Sequence, residues 1–66
     1  MVEEELVVFA MARGLAPNEA MVLPALFEKA ADEVGMSVRG LISSATYSNE
    51  VGEYLAKVAR EVARKL

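Results

Sequence analysis

The sequence predicts an all-α fold, one small bundle of four short helices within a single domain, residues 1–66. Two observations predict it. Apolar residues recur at steps of three and four along most of the chain, the spacing that lines one face of a helix. Between these stretches stand glycines and serines, the residue types that stop and start helices.

The first helix spans about residues 3–13. Glu3, Glu4 and Glu5 sit where a helix N-terminus favours negative charge, and Arg13-Gly14 makes a stop. Leu6, Val7, Phe9 and Ala10 form one broad stripe. Val7, Val8 and Phe9 are also β-formers, so a strand over Leu6–Met11 is the competing reading. Helix is the preferred one.

The second helix is read over 17–34. Ala16-Pro17-Asn18-Glu19 suits a helix entry, with proline at the first helical position and an acid in the first turn. Pro24 is the difficulty, because a mid-helix proline loses a hydrogen bond and clashes one turn back, at about 3 kcal/mol. Either 18–23 is a strand and a helix begins at Pro24, or one helix runs through, kinked at Pro24. Ala16, Ala20, Leu23, Phe27, Ala30 and Val34 keep helical spacing across the proline. Met21, Val22 and Leu23 are consecutive apolar residues and break the alternation of a half-buried strand. The kinked helix is preferred, and the strand at 18–23 stands as the alternative.

Leu26, Phe27, Ala30 and Val34 carry the stripe up to Gly35, which suits the left-handed residue after a helix end. Ser37 suits the N-cap of a third helix, about 37–46, with Leu41, Ile42 and Ala45 as its apolar face. The fourth helix, 48–65, is capped by Ser48 or Asn49 and has Glu50 and Glu53 in its first turn. Val51, Tyr54, Leu55, Val58, Val62 and Leu66 form its expected buried stripe. Glu53 with Lys57 and Glu61 with Lys65 are favourable four-residue pairs, and Arg60, Arg64 and Lys65 suit the C-terminal end of the dipole. Gly52 either loosens the first turn or lets another helix pack closely.

The order Ala31, Gly35, Ser37, Leu41 within 26–46 resembles the helix-turn-helix of DNA-binding regulators. Gly35-Met36-Ser37 with Leu41-Ile42 and Ala45 is equally similar to the helix–helix part of the ribbon-helix-helix, Arc-type repressors. Each resemblance covers about a third of the chain. The first implies a recognition helix from Ser37, offering Arg39, Ser43, Ser44 and Thr46 as polar readers and weakened by Gly40. The second implies a strand at 18–23, which contains Glu19 and no cation.

Charge gives a mixed signal. The net charge is −3, against general affinity for nucleic acid. Residues 1–33 carry seven acids and two bases, giving −5, and residues 34–66 carry five bases and three acids, giving +2. Arg39, Ser43, Lys57, Arg60 and Arg64 are therefore the candidate contacts for DNA or for an acidic partner. Helix-dipole complementarity accounts for the same asymmetry without any ligand.

Catalysis is not expected. Histidine and cysteine are absent, which removes the commonest metal sets and nucleophile–base pairs, and no cofactor is implied. Asp32 and Glu33 are neighbours on one helix, about 100° apart, and do not face each other. The serines have no base to activate them, and the glycines form no phosphate loop.

What the composition does indicate is association. Hydrophobic residues make up 55% of a chain of 66, rich for a body with so much surface, and no disulfide compensates for a small core. A homodimer is expected, with Tyr54, Leu55, Val58 and Val62 as the candidate interface, paired with the exposed side of the second helix. The acidic N-terminus does not read as a secretory signal and no apolar run has membrane-spanning length, so a cytoplasmic protein with no membrane partner is expected. The preferred reading is a protein-interaction module, and the alternative is a small dimeric DNA-binding regulator using the 26–46 corner.

Overall fold

The computed structural model describes residues 2–66, and every regular element in it is helical: α1 (Val2–Ala12), α2 (Pro17–Ala20), α3 (Leu23–Val34), α4 (Val38–Tyr47) and α5 (Asn49–Lys65). The protein is a small all-α bundle. Strand is absent from the described residues, at 18–23 and at Leu6–Met11 alike.

The helix read over 17–34 is divided before its proline rather than bent at it. Pro24 has no N–H for the Ala20 carbonyl, and its ring crowds that carbonyl. The regular ladder therefore lapses at Met21 and Val22, both still in right-handed α geometry (φ −64° and −84°). The Val22 N–H turns to the Glu19 carbonyl at 3.3 Å, and α3 begins when the Leu26 N–H reaches Val22 O at 3.0 Å. Pro24 thus sits in a first turn, where its missing donor is no loss.

Local chemistry sets the other boundaries. Gly14 (φ 69°) and Gly35 (φ 72°) are left-handed and close α1 and α3. In each case the following residue's N–H reaches back five residues: Leu15 to Ala10 O at 2.9 Å, Met36 to Ala31 O at 2.9 Å. Ser37 Oγ accepts from the Gly40 N–H at 3.0 Å, and Ser48 Oγ from the Val51 N–H at 3.3 Å, capping α4 and α5. At α2 the Glu19 carboxylate accepts from the Ala16 N–H at 2.7 Å.

The core gathers around Leu23 and Phe27, which have no exposed surface. Phe9 of α1 meets Phe27 edge-on, centroids 5.5 Å apart at 74°, the arrangement that opposes a ring edge to a ring face. Leu6 and Ala10, Val22 and Ala31, Leu41, Ile42 and Ala45, and Leu55, Ala56 and Ala59 complete it, and among the described residues no polar side chain is buried.

Several stripe assignments differ from the sequence reading. Val7 faces solvent beside Val8 and Met11, because Leu6, Phe9 and Ala10 alone fill the inner face of α1. On α3 the inner line is Leu23, Phe27 and Ala31, so Val34 lies outside. On α5 it is Gly52, Leu55, Ala56 and Ala59, while Tyr54, Val62 and Leu66 are exposed. The four-residue ion pairs expected on α5 are not formed. Among the described residues the ion pairs are Arg13–Glu53 at 3.3 Å and Arg39–Glu5 at 3.9 Å.

Candidate functional site

The way α5 seats itself creates the site. Gly52 lies against the end of α4, and a methyl group there would stand 2.6 Å from the Ala45 carbonyl oxygen and would also strike the Arg13 guanidinium. Gly52, Ala56 and Ala59 let α5 press onto the bundle along a face of small residues. The larger Tyr54, Val58 and Val62 are thereby turned to one side, toward α3.

The facing side of α3 is equally unfilled. Leu26 and Ala30 are half-buried and Val34 is exposed, with Met21 just upstream. α5 packs chiefly on α4 and α2, and its contact with α3 is slight. Between α3 and α5 an apolar groove of ≈ 840 Å³ remains open, walled by Met21, Ala25, Leu26, Ala30 and Val34 on one side and Tyr54, Val58, Val62 and Leu66 on the other. Met21 is 80% exposed, Tyr54 66%, Val62 37% and Leu66 90%. Leu55 touches the groove but is 4% exposed, committed to the protomer's own core. The groove's charged groups are Lys29 and Glu33.

The candidate polar contacts are placed differently. Arg39, at the start of α4, is exposed and lies beside Glu5 in the first half of α1. Arg60 donates through Nη2 to the Arg13 carbonyl at 2.9 Å, past the other end of α1. Those two ends are eight residues apart, roughly 12 Å of helix. Ser43, Lys57 and Arg64 are exposed on α4 and α5. The helical corner itself forms, with α3, Gly35, Ser37 and α4 arranged as their residue types require.

One organising residue had no signal in the sequence beyond a helix stop. The Arg13 side chain, 16% exposed, lies over the Phe9 ring at 5.8 Å and donates to Asn49 Oδ1 at 3.0 Å and Glu53 Oε1 at 3.3 Å. It ties the end of α1 to the first turns of α5. Arg13 is thus a structural latch outside the groove.

Among the described residues no helix is long and apolar enough to cross a membrane, and no three potential metal-ligating side chains converge. The arrangement offers an apolar surface with a sparse charged rim. No family model, no curated protein and no solved structure matches the chain.

Proposed function

We propose that the protein is a non-catalytic protein-interaction module, acting in the cytoplasm as a homodimer whose contact surface is the groove between α3 and α5. The observation that carries this reading is the inversion of α5. Its small residues face the bundle together with Leu55, and Tyr54, Val58 and Val62 face a groove that the protomer leaves open. Exposed aliphatic and aromatic side chains that share one face mark an interaction surface more often than the same residues scattered singly. The groove also lies between the C-terminal helix and the exposed side of the second, the two surfaces that the sequence reading pairs in the dimer.

The alternative, a dimeric DNA-binding regulator, draws support from the well-formed α3–α4 corner. Charge weighs against it. Arg39 is beside Glu5, Arg60 is bound to a main-chain oxygen, and the net charge is −3.

Thermal unfolding across a wide concentration range tests the preferred reading. A dimer gives a midpoint that rises with concentration, since association stabilises only the folded state. Val62→Glu, at a partly exposed groove position, should remove that dependence while leaving a folded monomer. A midpoint independent of concentration for the unaltered chain would contradict it. Steeply salt-dependent binding to duplex DNA would favour the alternative.

A further inference from the structure

We infer that the occupant of the α3–α5 groove is the same groove of a second copy, laid antiparallel so that Lys29 of each copy meets Glu33 of the other. This rests on the dimeric reading above and specifies its register.

The charges of the groove point to a second copy rather than to an unrelated partner. A wall bearing one sign would call for an occupant of the opposite sign. This groove carries one cation and one anion, both on α3 and four residues apart, about one helical turn. Such a pair has no net charge, and inverting it about a two-fold axis sets each group against its opposite. A two-fold interface requires that kind of self-complementarity: if residue i meets j, then j meets i.

Both groups are available for it. Lys29 and Glu33 are exposed, and neither takes part in the ion pairs formed among the described residues. The order lysine then glutamate is the weaker orientation for a pair within one helix. Between them lies Ala30, half-buried and lining the same groove. With only a methyl group there, two α3 helices can approach to about 8 Å, the close end of helix packing. The axis therefore passes near Ala30. Leu26 and Val34 then flank the crossing on either side, and each is set against the other's counterpart.

Charge reversal tests the register. Dimer dissociation constants would be measured by analytical ultracentrifugation for the unaltered chain, Lys29→Glu, Glu33→Lys and the double variant, with circular dichroism as the check on folding. Each single variant should weaken its own dimer at least about tenfold, because two attractive contacts become repulsive. The double variant should recover to within about threefold of the unaltered chain. An equimolar mixture of the two single variants should form a heterodimer tighter than either homodimer, since its two contacts are again attractive. Dimerisation of the unaltered chain that is indifferent to both reversals would overturn this register and leave the dimer standing. An unaltered chain that does not dimerise would overturn the dimeric reading itself.

Discussion

The Arg13 guanidinium donates to the Glu53 carboxylate at 3.3 Å across 40 residues of chain, and the same group reaches Asn49 Oδ1 at 3.0 Å. The two carboxylate and amide acceptors belong to the first turns of α5, so the end of α1 is fastened where α5 begins. Glu53 is 69% exposed, so the ion pair itself contributes little. The Phe9 contact and the Asn49 bond add the rest. Arg13→Ala is expected to lower stability by about 1–2 kcal/mol through lost bonds and lost packing of the side-chain stem. Glu53→Gln is expected to cost less than about 0.5 kcal/mol. Chemical denaturation of the two variants checks the ranking, and equal losses would mean that the ion pair dominates the latch.

Gly52→Ala should destabilise, although glycine to alanine inside an exposed helix gains about 1 kcal/mol from propensity. The added methyl would meet the Ala45 carbonyl oxygen at 2.6 Å, which is backbone and cannot rotate aside. Overpacking of this kind costs about 1–3 kcal/mol. A melting temperature lower by several degrees is expected, and a higher one would show that α5 does not sit so tightly on α4.

Gly35→Val tests the corner. With φ at 72°, a β-branched residue meets backbone strain even though no neighbouring atom lies within 4 Å of the new Cβ. A loss of about 1 kcal/mol or more is expected in thermal unfolding, equivalent to roughly 4–8 °C for a domain of this size. No change would mean that the turn is built without a left-handed residue.

These three sites differ in how far the sequence disclosed them. Gly35, Ser37 and Ser48 act through their nearest neighbours, so glycine after a stripe and serine before one reveal the boundaries directly. The break before Pro24 follows from the same local chemistry, displaced toward the carbonyl that the proline crowds. The inner face of α5 is legible only in part: Leu55 and the close approach at Gly52 are read from the sequence, Ala56 and Ala59 are not. That helix is apolar on two faces, and periodicity ranks Val58 and Val62 above Ala56 and Ala59 because it weighs hydrophobicity and not the space available. Close approach at Gly52 and Ala45 decides the matter, and both depend on chain positions brought together only in the fold. Val34 reads as inward from the sequence for a related reason, since the neighbouring lines 26-30-34 and 23-27-31 are each helical and periodicity alone does not choose between them. The latch at Arg13 has no periodic signature at all. As for the site, Tyr54, Val58 and Val62 were legible as an apolar set, and they wall the groove. Leu55 belongs to the core.

Sedimentation equilibrium of the unaltered protein decides whether the groove pairs two copies. One chain weighs 7.1 kDa. The apparent mass is expected to approach twice this value in the micromolar range and to fall toward it on dilution. A folded species that holds the single-chain mass throughout that range would contradict it.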